Sequence, residues 1–382
     1  MLASNWINAN QRVQPIGLDI GHRWLKMVQI VSDGKHLRLV AGGRASVDTQ
    51  TPDDPQKRQR SLLPAIRQLL GEHDFRGRKV VSAVPVDMLR ITSLRLPESE
   101  ALQVDKSLRR EAAQRFGLDP KKDTIHYMLA GTVRQGDEVK NEYILFAADS
   151  EAIGAHISLL EDAGLTPVAI DAPPCALFRA FDRTMRRHED QAKTIIFIDM
   201  GHSYTTVVFA RGGEICFVKQ VPIGMGRFDE EVASILGINP ADAESLRQQI
   251  QNDEPVDSVT RRHVIDALNS VAEQVVGEIS LCMRYYTVSF RGKRVEQGVV
   301  SGGGAYEQIV LDVLRRHLSI QIEVAEPLRG FEAADGEKTG TAISRSADLA
   351  LAVGLSLKGW GTPPAASTTG AAGEPVLQGE LS

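Results

Sequence analysis

Cysteine is scarce in this 382-residue chain: there are three, Cys175, Cys216 and Cys282, far apart and with no Cys-x-x-Cys pair. That excludes a disulfide scaffold and a cysteine-built zinc site, and points to reduced, mostly buried thiols. No apolar run is long enough to cross a bilayer. The first residues, Met1 to Pro15, lack the apolar core of a signal peptide, so the cytoplasm is the expected compartment. Neither sign of charge dominates: 44 Lys and Arg against 49 Asp and Glu leave −5. A balance so close to neutral gives no electrostatic footprint for nucleic acid. No Ser-His-Asp or Cys-His set has a useful spacing, so no covalent catalysis is expected.

Apolar residues make up 42% of the chain and are spread along it. The length suggests two or three domains. Strands are expected at 16–19, 24–30 and 37–45, with Ser32-Asp33-Gly34 as a hairpin turn. A helix over 61–70 and a strand over 79–84 follow. From about 86 to 167 the character changes. A helix over 102–116 places Val104, Leu108, Ala112 and Phe116 on one face. Strands at 124–130 and 143–148 and a helix at 151–163 complete a compact inserted unit. The strand pattern restarts at 194–200, 204–210 and 214–221, with Arg211-Gly212-Gly213 as the turn. Helices are expected near 175–187, and at 228–236, 240–251, 262–286, 306–318 and 346–357, with a strand at 320–324. Domain limits follow: a flexible start over 1–15, a first domain over 16–190 and a second over 191–360. A smaller subdomain lies within the second at about 226–290. The stretch 361–382, rich in Gly, Ala, Pro, Ser and Thr, reads as a disordered tail without a basic amphipathic face.

One repeat organises the chain. Asp19-Ile20-Gly21-His22 recurs as Asp199-Met200-Gly201-His202, each at the end of the first strand of a three-stranded meander. A single Asp-x-Gly is common at strand ends. Two in the same phase, one per half, indicate an internal duplication. Glycine at a hairpin tip lets a ligand approach the backbone. Two tips facing each other across a cleft would hold a polyphosphate from both sides through N–H groups. Asp19 and Asp199 would then share one space. At about 6 Å they would repel by roughly 3 kcal/mol at an effective dielectric near 20. A magnesium ion between them reverses that sign and suits a few carboxylates plus phosphates and water. Lys26, seven residues after Asp19, falls on the cleft face of the hairpin, where it would meet a terminal phosphate. Ser301-Gly302-Gly303-Gly304 joins a strand to a helix and would let a flat ring or phosphate lie on the backbone. Glu244 and Arg247 share a helix face and either reach a ribose and purine or form a surface ion pair. His22 and His202 are either phosphate donors or plain turn residues. Trp24, Trp360, Tyr285 and Tyr286 read as packing residues.

With these motifs the chain resembles the actin-like superfamily, and within it the PilM family of type IV pilus assembly proteins, relatives of the cell-division protein FtsA. The resemblance covers about 16–357. Ile16 to Gly21 with Lys26 is similar to the first phosphate motif. Phe197 to Gly201 with Thr205 and Thr206 is similar to the second. Ala243-Glu244 with Arg247 resembles the nucleotide-contacting helix, where Lys is usual at the last place. Ser301 to Ala305 resembles the adenosine motif. Asp171 to Ala180 and Ala347 to Leu355 resemble the two connecting helices, and Asp171 is carried over as a catalytic acid beside Asp19 and Asp199. Arg109 to Gln114 resembles a helix of the family's inserted subdomain. The fold implied is a duplicated actin-like, RNase H-like α/β fold: two domains around a nucleotide cleft, with an α/β insertion in the first. The function implied is an ATP- and magnesium-binding scaffold, at most a slow ATPase, since His22 and His202 stand where small residues are usual. Its implied partners are other pilus assembly components and the N-terminal cytoplasmic peptide of a PilN-like inner-membrane protein. That peptide would dock near Leu94 to Phe116 and hold the scaffold at the inner face of the membrane. A small-molecule kinase, a filament-forming FtsA-like protein and a member that binds no nucleotide are the alternatives. No Asn, Asp and Glu cluster suited to a sugar is visible beside the cleft.

Overall fold

The computed structural model describes residues 12–33, 36–47, 55–98, 103–135, 138–185, 193–290, 294–332 and 346–359. The expected tail, the polar loop at 333–344 and Trp360 lie outside them. So does the expected flexible start, up to residue 11. From there the chain is already ordered: β1 (Arg12–Val13) pairs with the end of β3, and Gln14 N–H donates to the Ile30 carbonyl.

Two sheets carry the same topology. In the first, β2 (Ile16–Ile20) is antiparallel to β3 (Trp24–Ser32), and β3 to β4 (Leu37–Ser46). On its other side β2 runs parallel to β5 (Lys79–Ala83), and β5 to β9 (Thr166–Asp171). In the second, β10 (Thr194–Met200), β11 (Thr205–Arg211) and β12 (Glu214–Val221) form the antiparallel meander. There β10 pairs parallel with β13 (Val295–Ser301), which pairs with β14 (Gln321–Val324). The repeat in the sequence is therefore a repeat of whole sheets. Asp19 and Asp199 occupy the same place in each, one residue from the end of the strand where the meander meets the parallel half.

Both central strands are buried on both faces, which is why Ile16 to Ile20 and Thr194 to Met200 read as continuous apolar runs. The first sheet packs Ile16, Leu18, Leu25 and Met27 against α1 (Pro55–Glu72), through Leu62, Ile66 and Leu69. Helix α3 (Ser150–Asp162) adds Leu159 and Leu160 to this same core. The second sheet is covered by α5 (Met225–Leu236), α7 (Ser258–Ser289) and α8 (Gln308–Leu318). The buried stripe of α7, from Val264 to Tyr286, recurs every three or four residues.

Between β5 and α3 the chain builds a third sheet in the order β6-β8-β7, from β6 (Arg90–Pro97), β7 (Thr124–Gln135) and β8 (Glu138–Ala148). Helix α2 (Val104–Phe116) closes its small core with Leu108 and Ala112. The expected inserted unit thus holds one strand more than the sequence suggested, while its last helix, α3, belongs to the core of the first sheet.

Two helices join the halves. Helix α4 (Pro173–Asp182) lies on the second sheet, with Phe181 stacked on Phe197 at 5.2 Å. Helix α9 (Ala350–Ser356) lies on the first sheet and is buried throughout. They cross at Gly354, where a Cβ would stand 1.7 Å from the Ala176 carbonyl oxygen. At Gly17 a Cβ would stand 2.0 Å from the Ala352 carbonyl oxygen, so β2 and α9 also meet backbone to backbone. Among the described residues no helix is long and apolar enough to cross a membrane.

Candidate functional site

The two hairpin tips meet. In each, the glycine N–H closes a two-residue turn: Gly21 donates to the Trp24 carbonyl at 3.1 Å and Gly201 to the Tyr204 carbonyl at 3.0 Å. These two N–H groups are thereby engaged within their own turns. The residue at the first position of each turn is histidine, and the rings of His22 and His202 stack on each other, centroids 4.6 Å apart and planes 11° from parallel. Beside them Arg23 of the first turn is ion-paired with Glu244 on α6 (Pro240–Gln251) of the second half. Burial, then the neighbouring His22, Arg23 and Arg247, push His202 down to about 4, so its ring is neutral. Trp24 is a surface residue and Tyr286 is wholly buried.

Behind the tips lies a charged cluster. Lys26 Nζ reaches Asp19 Oδ2 at 3.1 Å, both side chains nearly buried. Burial alone would lower the lysine, but Asp19, then Asp348 and Asp199, outweigh it, and its pKa is raised. Asp199 accepts a 2.8 Å hydrogen bond from Ser301 Oγ. Burial raises its carboxyl, Ser301 and Lys26 pull it back, and Asp19 and Asp348 push it up again. Lys26 thus pairs with Asp19 and feels the charge of Asp199 and Asp348; with Arg44 on Asp348, three carboxylates meet two cations, a surplus of acid that a divalent cation would offset. Asp348 is itself gripped by Arg44 on β4 through two bonds, 2.6 and 2.7 Å. Among the described residues no trio of His, Cys, Asp and Glu is arranged to hold a metal alone. Phosphate oxygens and water would have to complete any magnesium shell here.

The glycine-rich turn sits on the same cluster. Gly302 has φ +83° and a Cβ there would fall 2.5 Å from the Met200 carbonyl oxygen, so only glycine fits. Gly304 is packed against Met225 and Met200. Gly303 is exposed, with open space where its Cβ would be, and suits a flat ring. Gly302 N–H donates to the Ala347 carbonyl, and Ala347 N–H to the Tyr306 hydroxyl, which fixes the turn beside Asp348.

Other expected site residues have different work. Arg247 is buried and bound to Asp229 at 2.8 Å and Glu307 at 3.2 Å. It does not pair with Glu244: its two carboxylate partners are Asp229 and Glu307. Glu244 meets Arg23 and, at 3.3 Å, Gln248. Thr205 spends its hydroxyl on the Ile223 carbonyl at 2.7 Å. Asp171 is held by Arg179 at 2.8 Å and Lys358 at 3.2 Å, and Arg179 also donates to the Gly354 carbonyl. That carboxylate ties the two connecting helices together. Arg23, Arg44 and Asp348 were not singled out from the sequence. A basic residue between two turn positions was the available signal for Arg23; Asp348 had only its place in the connecting segment.

The insertion is fastened to the second half by a polar joint. Glu142 on β8 is fully buried and receives Arg95 Nε at 2.9 Å and the Tyr285 hydroxyl at 3.0 Å. Arg95 also donates to the Tyr285 hydroxyl and to Ser289 Oγ, both on α7.

Comparison with known proteins fits this architecture. The sequence profile described as type IV pilus assembly protein PilM matches residues 17–360. A solved structure titled PilM-PilN type IV pilus biogenesis complex is 21% identical with a TM-score of 0.74, over 91% of this chain and 99% of that one. The ethanolamine utilization protein EutJ from Carboxydothermus hydrogenoformans is 16% identical with a TM-score of 0.51, over 91% and 89%. No curated protein matches in sequence. The fold is the actin-like ATPase fold.

Proposed function

The chain belongs to the PilM family of type IV pilus assembly proteins, and from that premise we propose that it is an ATP-binding scaffold of pilus assembly that captures the cytoplasmic tail of a PilN-like inner-membrane protein. One observation carries the nucleotide half of this reading. The two Asp-x-Gly turns, equivalent in two copies of one sheet, meet tip to tip above a cluster in which Lys26 faces Asp19, Asp199 and Asp348. The donor set fits a magnesium ion: Asp19 and Asp199 would hold it, and when bound it would neutralise phosphate charge. Lys26 would meet a phosphate, and the open space over Gly303 leaves room for the base. Asp171, held by two cations, serves the joint between α4 and α9 rather than catalysis.

The solved relative is a complex with PilN. We place the tail beside the inserted sheet, near β6 and α2, where the Arg95–Glu142–Tyr285 joint fixes the insertion to the second half. Membrane attachment would come through this partner, together with other pilus components. The kinase and filament alternatives gain nothing from the family match. Titration of a fluorescent ATP analogue with magnesium tests the site. Saturable binding is expected, weakened at least tenfold in Asp19→Ala and Asp199→Ala. Equal affinity in all three proteins would refute it.

A further inference from the structure

Two contacts cross the cleft at its mouth, and each has one member from either half. One is the His22–His202 stack; the other is Arg23 with Glu244. The second half is shaped around its histidine. Gly226 N–H donates to the His202 carbonyl at 2.8 Å, and Met225 N–H to the Gly201 carbonyl at 2.9 Å, so the first residues of α5 are bonded to the turn. A Cβ at Gly226 would lie 2.7 Å from His202 Nε2, and one at Gly224 2.4 Å from the His202 carbonyl oxygen. The pair of glycines in Gly224-Met225-Gly226 therefore makes room for this ring and its backbone. On the other side Arg23 keeps its Nε buried without a hydrogen-bond partner. An arginine held with one donor unsatisfied has an incentive to exchange partners.

A phosphate bonded from both turns needs roughly 8 Å between donor groups, two N–H···O spans of about 2.9 Å plus its own width. The stacked rings, 4.6 Å apart, occupy the space between the tips where such a phosphate would have to lie. We propose that the His22–His202 stack and the Arg23–Glu244 pair form a clasp of the protein's own making, which closes the two halves without nucleotide and must part before phosphates can enter. The competition with phosphate rests on the nucleotide reading of this cleft; the closure does not. The clasp gives the scaffold a closed state that does not depend on ligand, and makes nucleotide an agent that exchanges one closure for another.

The full chain with His22→Cys and His202→Cys tests the closure. Under mild oxidant, or with a short bismaleimide, the double variant is expected to form an intramolecular cross-link without nucleotide, and the single variants none. This variant keeps the Arg23–Glu244 pair, and absence of the cross-link overturns the closure of the two tips. Mg-ATP is expected to slow the cross-link severalfold. In parallel, the affinity of a fluorescent ATP analogue is compared between wild type and His22→Ser. Loss of the stack predicts binding about two- to tenfold tighter, the range of an aromatic pair. Equal or weaker binding overturns the competition, because the rings would then be bystanders or ligands. If neither protein binds nucleotide while the cross-link still forms, the nucleotide reading fails and the clasp stands as a permanent closure.

Discussion

Substituting Arg247→Met separates a structural from a ligand-binding arginine. In the fold Arg247 is buried between Asp229 and Glu307, whose side chains are 2% and 6% exposed. One oxygen of Asp229 already lacks a hydrogen-bond partner. Burial raises both carboxyls above their ordinary values and Arg247 pulls them back. Methionine fills much of the volume but leaves two uncompensated acids. Breaking a buried ion pair from one side costs about 3–5 kcal/mol, a large share of a typical domain's stability. The sign with pH follows from the same shifts. Without the arginine both folded-state pKa values rise further above the unfolded ones. In that window the folded protein holds more protons, so stability increases as pH falls. Urea unfolding should show a large loss at pH 7.5 and a smaller one at pH 5. A loss under about 1 kcal/mol at both, with weakened nucleotide binding instead, would return Arg247 to the ligand site.

Three further perturbations are expected to read out directly. Gly354→Val drives a side chain into the Ala176 carbonyl and should cost about 3 kcal/mol or more in urea unfolding by forcing α4 and α9 apart. Arg95→Ala leaves Glu142 buried with the Tyr285 hydroxyl alone; hydrogen exchange should rise across β6 to β8 while the two large sheets keep their protection. His156 is buried, bonded to Ser82 Oγ at 3.0 Å and pushed down to about 4 by burial. Its ordinary value is near 6.5, so the unfolded chain takes the proton first and stability falls as pH drops from 6.5 toward 4. His156→Gln should remove up to about 3 kcal/mol of that acid sensitivity.

The duplicated sheets were legible because fully buried central strands write unbroken apolar runs, and because Asp19 and Asp199 sit in the same phase of each. The limits of the central strand β10 match the expectation to the residue for that reason. β6 escaped because it is an edge strand, part-exposed along most of its length, with no clear alternation. The hairpin of β7 and β8 was read short because its bulge at Leu129 to Gly131 breaks the pattern and its far end is polar. α3 looked like part of the insertion because the sequence does not say which sheet its Leu159 and Leu160 face. At the site the partners of Arg247 and Glu244 were not legible from spacing. Lys26 and the two aspartates converge as their motifs implied. Arg247 could not be told from a ligand contact, since its partners lie 18 residues before it and 60 after. The histidines were visible as oddities, but that they touch depends on how α4 and α9 set the two halves.

Calorimetric titration of the full chain tests the central claim most directly. The titrant is a synthetic peptide of the N-terminal cytoplasmic tail of the PilN-like protein from the same pilus system, with and without Mg-ATP. Saturable one-to-one binding is expected, with an affinity that changes when Mg-ATP is present. No binding heat at millimolar peptide in either condition would contradict it.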